Sequence, residues 1–284
     1  MRRVQGDGVE LAVVDEGSGP PVLLLHGFPD SSRLWRHQVR ALVDAGYRAI
    51  APDLRGFGDS DRPQDAGSYG IRRSVADMLA VLDTLEVERA HVVAHDWGAA
   101  VGWALAAFAS ERVDRLAVLS VGHPNALRRP TLEQRERSWY PLLFQYEGTA
   151  EQLLMRDDWE LFREWTRGDG DAERAIADLS RPGALTAALN WYRASWRPDA
   201  ELSERAFPTV AADTLGVWST GDHYLVEEQM TGSAEYVVGE WRYERIEGAS
   251  HWLQLDAPER LNELLLDWFN PQPTSTGSDP VEGR

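Results

Sequence analysis

The chain reads as an α/β protein, a mostly parallel sheet flanked by helices and interrupted by an inserted helical cap. Three observations predict this. Short apolar runs ending in Gly, Asp or Ser alternate with segments of helical period, as βαβ units do. The alternation stops between about residues 123 and 207, then resumes. The run PERLNELLLDWF closes the pattern as an amphipathic helix with Pro at its start.

In chain order the strand segments are VELAVVDEG, PVLLLHG, YRAIAPD, HVVAHD, VDRLAVLS, LGVWSTGD and WRYERIEG. Helical patterns lie between them in LWRHQVRALVDAG, IRRSVADMLAVLDTLEV and AAVGWALAAFAS. Residues 123–207 are rich in Arg, Glu and aromatic residues, include Trp139, Trp159, Trp165, Trp191 and Trp196, and contain no convincing strand. They read as a helical cap inserted after VDRLAVLS, which leaves 1–122 and 208–270 as the core. The polar run PQPTSTGSDPVEGR, residues 271–284, predicts a disordered tail.

A length of 284 residues suits one large domain with an insertion. No run of about 18 apolar residues occurs, and MRRVQGDGVE lacks the apolar stretch of a signal peptide, so a soluble cytoplasmic protein is expected. The formal charge of −17 would repel nucleic acid and anionic membrane rather than steer either in. Cysteine is absent, which removes disulfides, thiolate nucleophiles and Cys-ligated zinc. All 29 basic residues are Arg, which excludes a Schiff-base lysine and a Walker-A lysine. The chemistry is left to Asp, Glu, His, Ser, Tyr or Arg.

Ala94-His95-Asp96-Trp97-Gly98-Ala99 has the small-x-nucleophile-x-small-small form of a strand turning abruptly into a helix. Asp96 would then project above the sheet at a helix N-terminus that favours its charge. A plain N-cap is the competing reading. HGFP at 26–29 ends a strand, where the residue after HG can give its N–H to an oxyanion hole; a simple Gly-Pro turn is the alternative. LGVWSTGD sets Asp222 just past a late strand, and EGASHW sets His251 past the last one. The order nucleophile, acid, base follows.

Taken together, HGFPDSSRLW, APDLRGFGDSDRP, HVVAHDWGAAVGWALA, LNWYRAS, STGD and GASHWLQLDAPERL resemble the soluble epoxide hydrolases of the α/β-hydrolase fold, over nearly all the chain before the tail. Ala94 stands where that family often has Gly, and GDHYLVEEQM reads as a residue longer than the usual loop. The resemblance implies that Asp96 attacks an epoxide carbon to form an ester. Asp222 and His251 then activate water, and the backbone N–H groups of Phe28 and Trp97 hold the oxyanion. It also implies that SWYPLLFQYEG and LNWYRAS supply two phenols, Tyr140 and Tyr192, to hold the epoxide oxygen. Two core aromatics are the alternative. His26, Pro29, Trp139, Trp191 and Trp252 are expected around the substrate. No metal or organic cofactor is called for, and the expected partner is a small epoxide met by a monomer or homodimer in a detoxifying role.

Of the seven histidines, His37 and His91 read as surface or strand-edge residues, His26 as a brace for the HGFP loop, and His95 as a neighbour of the turn. His223 lies inside the acid loop, whereas His251 holds the loop of the base. Two rivals remain. Dehalogenases of the same fold share the Asp nucleophile, but the haloacid group carries arginines where this chain has Trp97 and Ala100, and the haloalkane group usually has Asn or Glu where it has Phe28. A catalytically silent ligand-binding protein would be expected to have a broken triad.

Overall fold

The computed structural model of the chain describes residues 1–195 and 206–269. The predicted tail, and residues 196–205 of the inserted segment, lie outside the described residues.

Among the described residues eight strands form one sheet: β1 (Arg2–Gln5), β2 (Glu10–Gly17), β3 (Pro21–Leu25), β4 (Arg48–Pro52), β5 (Ala90–His95), β6 (Val113–Leu119), β7 (Asp213–Ser219) and β8 (Trp241–Ile246). Their order is β1-β2-β4-β3-β5-β6-β7-β8. β2 pairs antiparallel with both β1 and β4, and the other neighbours are parallel. Seven of these strands are the predicted ones. β1 is an addition, because RRVQ offers a single buried residue, Val4, and so shows no countable alternation. Its charged side chains suit a sheet edge.

β5 is buried along its whole length, as a central parallel strand covered on both faces must be, which explains its unbroken apolar run. The register aligns Leu25 with Ala94, His95 with Leu119, Leu119 with Val217, and Ser219 with Ile246. The loops after β3, β5, β6, β7 and β8 therefore leave the sheet from the same end. That end is where a parallel sheet gathers its functional groups.

Helices α1 (Arg36–Asp44), α2 (Ile71–Thr84) and α3 (Trp97–Phe108) follow β3, β4 and β5. α3 lies so close to the sheet that a Cβ on Gly98 would run into the carbonyl oxygens of Leu25 and His26. Between β6 and β7 come α4 (Leu132–Arg137), α5 (Tyr140–Phe144), α6 (Thr149–Thr166), α7 (Ala172–Leu179) and α8 (Ala184–Ser195). α6 is interrupted by non-helical backbone at Arg156–Trp159. α8 is seated on the sheet side by Trp191, whose indole N–H donates to the Arg55 carbonyl at 3.0 Å, and by Asn190, which donates to the Gln64 carbonyl at 3.1 Å. The chain closes with α9 (Glu227–Thr231), α10 (Leu253–Asp256) and α11 (Pro258–Phe269).

His91 departs from expectation. It is 8% exposed, with its ring stacked on Phe269 at 4.5 Å, because the end of α11 covers the start of β5. No helix among the described residues is long and apolar enough to cross a membrane.

Candidate active site

Asp96 sits where β5 turns into α3, with φ +52° and ψ −124°. A left-handed φ is costly for a non-glycine residue and persists only where the surroundings impose it. Its side chain makes no capping bond to α3. Instead Oδ1 accepts the Phe28 N–H at 2.7 Å, and the adjacent Trp97 N–H favours the carboxylate's charge. A Cβ on Gly27 would strike the Asp96 carboxylate and approach the Trp97 nitrogen to 2.6 Å, so the HGFP loop can press this close only with glycine there. Burial opposes the carboxylate's charge, but His251 and the Trp97 N–H outweigh it and hold the group below its ordinary range.

His251 lies between two carboxylates. Its Nδ1 is 2.8 Å from Asp222 Oδ2, and its Nε2 is 3.8 Å from Asp96 Oδ2. Nδ1 therefore donates to Asp222 and Nε2 faces Asp96. Burial works against an imidazolium here, yet the two carboxylates prevail and raise the pKa to about 10. Asp222 is 2% exposed, and its Oδ1 accepts the N–H groups of Tyr224 at 2.8 Å and Leu225 at 3.0 Å. The apparent extra residue in GDHYLVEEQM thus does not displace it. His223 is exposed and makes no contact with Asp96 among the described hydrogen bonds.

Behind this pair lies His95, fully buried, with its ring 4.5 Å from that of His251. Burial and the nearby His251 charge drop its pKa to about 3, so it is neutral. Its Nε2 faces the His251 carbonyl at 3.0 Å, so Nε2 carries the proton. Ser120 donates to the same carbonyl at 3.3 Å. His251 is thereby held through its own backbone.

Opposite, Tyr140 at the start of α5 and Tyr192 on α8 are buried, with ring centroids 6.0 Å apart. Tyr192 stands edge-on to Trp97 at 5.0 Å and to Phe28 at 5.5 Å. Burial, reinforced by the Asp96 charge, pushes both phenols well above their ordinary pKa, so both keep their protons as donors.

The other predicted residues are placed less uniformly. Trp252 is buried against His251 at 5.4 Å, and Trp191 lies 5.9 Å from Trp97. Pro29, after a cis peptide bond, is buried in the HGFP loop. His26 is not in the wall: its Nε2 accepts the Leu54 N–H at 2.9 Å and its Nδ1 is turned to the Gly27 carbonyl, so it braces the loop from behind. Trp139 is 46% exposed and borders a cleft of about 470 Å³ with Trp165, Tyr224 and Leu161.

Three residues near the site were not picked out from the sequence. Tyr224 stands 5.1 Å from the His251 ring and donates to the Trp165 carbonyl at 2.9 Å. Trp165 packs on Tyr140 at 5.1 Å. Asp30, directly after HGFP, accepts the Trp252 indole N–H at 2.8 Å. Burial pushes its carboxyl up to about 7 against that hydrogen bond. Only proximity to HGFP could have flagged it. Among the described residues no cluster of three or more His, Cys, Asp or Glu is placed to hold a metal ion.

Residues 20–258 match the family model of the alpha/beta hydrolase fold. Epoxide hydrolase A of Mycobacterium tuberculosis is 34% identical, over 94% of this chain and 96% of its own length. The crystal structure of epoxide hydrolase A from Mycobacterium thermoresistibile superposes with a TM-score of 0.82 at 34% identity, covering 94% of this chain and 97% of that one. A variant of a Bacillus megaterium epoxide hydrolase, complexed with its product (R)-3-(1-naphthyloxy)propane-1,2-diol, superposes with a TM-score of 0.86 at 27% identity, covering 95% of this chain and all of the other. With the sheet order, the turn at Asp96 and these likenesses in agreement, the chain belongs to the epoxide hydrolases of the α/β-hydrolase family.

Proposed function

We propose that the protein hydrolyses an epoxide to a vicinal diol through a covalent ester on Asp96. The observation that carries this reading is a half-buried carboxylate faced by a His-Asp pair and approached by two protonated phenols. A carboxylate can displace a strained ether oxygen at saturated carbon, which a hydroxyl nucleophile suited to carbonyl carbon does less readily. The diol bound to the Bacillus megaterium relative supports the same outcome.

The steps follow from the geometry. Oδ1 of Asp96 is tied to the Phe28 N–H, so Oδ2 attacks the epoxide carbon and the C–O bond of the ring breaks. Tyr140 and Tyr192 hold the departing oxygen, and one phenol passes it a proton. Esterification removes one of the two negative charges that raise the His251 pKa. The imidazolium then gives up its Nε2 proton and becomes a base, returning the proton the phenol lost through solvent. His251, oriented by Asp222, takes a proton from water, and the hydroxide adds to the Asp96 carboxyl carbon. The N–H groups of Phe28 and Trp97 receive the oxyanion on Oδ1. Collapse breaks the bond to Oδ2, which leaves in the diol with a proton from His251.

The helices α4 to α8 act in this reading as a cap, residues 123–207, over a core of 1–122 and 208–270. The reading extends to a small epoxide as partner and to a cytoplasmic, detoxifying role for a monomer or homodimer. A dehalogenase reading draws less support, because the site offers two phenols above Asp96 and, at Trp97 and Ala100, no cation for a carboxylate. Measuring diol formation and halide release side by side, on styrene-type, aliphatic and polycyclic epoxides and on small haloacetates, tests the assignment. Diol without halide is the expected result, and halide release that depends on Asp96 would overturn it.

A further inference from the structure

The loop carrying Asp222 is gripped from the inserted helices by two side chains on α4. Gln134 is 4% exposed. Its Nε2 donates to the Tyr224 carbonyl at 2.8 Å and to Ser138 Oγ at 2.8 Å, and its Oε1 accepts the Val226 N–H at 3.0 Å. Arg137 Nη1 donates to the carbonyls of Asp222 at 2.7 Å and Leu225 at 3.0 Å, while its Nη2 bonds Glu133 at 2.6 Å. Trp218 also donates to the Leu225 carbonyl, at 3.3 Å.

The pattern has a particular sense. Tyr224 and Leu225 are the residues whose N–H groups hold Asp222 Oδ1. Their carbonyls are the ones taken by Gln134 and Arg137, so each residue is fixed both by the bond it gives and by the bond it accepts. Short loops otherwise carry the weakest restraints in a fold. α4 is itself stopped at its start by Thr131, whose Oγ1 accepts the Gln134 N–H at 3.1 Å, and Tyr140 begins α5 three residues after Arg137.

We infer that Gln134 and Arg137 are positioning residues by which α4 fixes the loop carrying Asp222, so that the acid stays aimed at His251. The inference rests on the role proposed above for Asp222. Neither side chain touches the reacting atoms. They act through the two backbone amides that aim the Asp222 carboxylate at His251, and hydrogen bonds to a charged group are among those whose loss is felt most.

The two half-reactions separate this role from a merely structural one. In the parent and in Gln134→Glu, Arg137→Ala and Arg137→Lys, adduct formation on the peptide containing Asp96 and its later hydrolysis are timed in single turnovers. Glutamate at 134 keeps the acceptor for Val226 but loses the donor to Tyr224, and it adds little bulk, so it tests the grip even if Arg137→Ala fails to fold. Hydrolysis of the adduct should slow about tenfold in Gln134→Glu and Arg137→Ala, with a smaller effect on its formation. Arg137→Lys should recover part of the loss. Equal slowing of both half-reactions, or parental hydrolysis in a folded Gln134→Glu, overturns the inference. Absence of any adduct in the parent overturns the covalent reading on which it rests.

Discussion

The Phe28 N–H donates to Asp96 Oδ1 at 2.7 Å, which leaves Oδ2 as the carboxylate oxygen that faces His251. In the proposed mechanism one oxygen is held where the oxyanion would form and the other is free to attack. Gly27 makes this approach possible, since a side chain there would meet the carboxylate. Gly27→Ala should cut adduct formation by about a hundredfold or more, as small misplacements at a reacting centre do. Adduct mass per turnover is the readout, and parental rates would refute the role given to the loop.

Tyr140→Phe and Tyr192→Phe should each slow epoxide opening by about ten- to a hundredfold while weakening the binding of the diol product much less. In the proposed mechanism the phenols share one oxygen, and their rings lie 6.0 Å apart, so the double variant should be far worse than either single one. Rates of adduct formation, set against diol affinity, check this. A double variant that opened epoxides at the parental rate would remove the pair from the mechanism.

Asp30 should leave a mark on stability rather than on fold. Its carboxyl titrates at about 7 in the folded chain, above the ordinary carboxylate value. The stability it contributes is therefore fully present below about pH 4 and is lost as pH rises through about 7. Asp30→Asn keeps an acceptor for the Trp252 indole but cannot ionise. Relative to the parent, the variant should gain roughly 1–4 kcal/mol between about pH 4 and pH 8. Urea unfolding of both proteins at the two pH values measures it, and parallel curves would contradict the placement of Asp30.

The parts of the site legible in the sequence are those fixed by local chain geometry. Asp96 and Asp222 follow apolar strand runs at turns, His251 follows the last and more polar strand, and the parallel register then brings the three together. Tyr140 and Tyr192 were legible only through the family's lid segments, because nothing in SWYPLLFQYEG or LNWYRAS alone separates a functional phenol from a core aromatic. His91 was misplaced because its cover is Phe269, far along the chain. Gln134 and Arg137 were invisible for the same reason: LEQRER reads as a solvated helical turn until the acid loop, some 90 residues later, is folded against it. The edge strand β1 was missed because a single apolar residue carries no period.

The oxygen balance of the first turnover tests the central role of Asp96 most directly. With enzyme in excess over epoxide in isotopically labelled water, Oδ2 should leave in the diol and a solvent oxygen should replace it in the carboxylate. Mass analysis should therefore find an unlabelled diol and one labelled oxygen on the peptide that spans Ala94–Ala99. A labelled diol with an unlabelled peptide would mean that Asp96 only activates water, and the ester mechanism would fall.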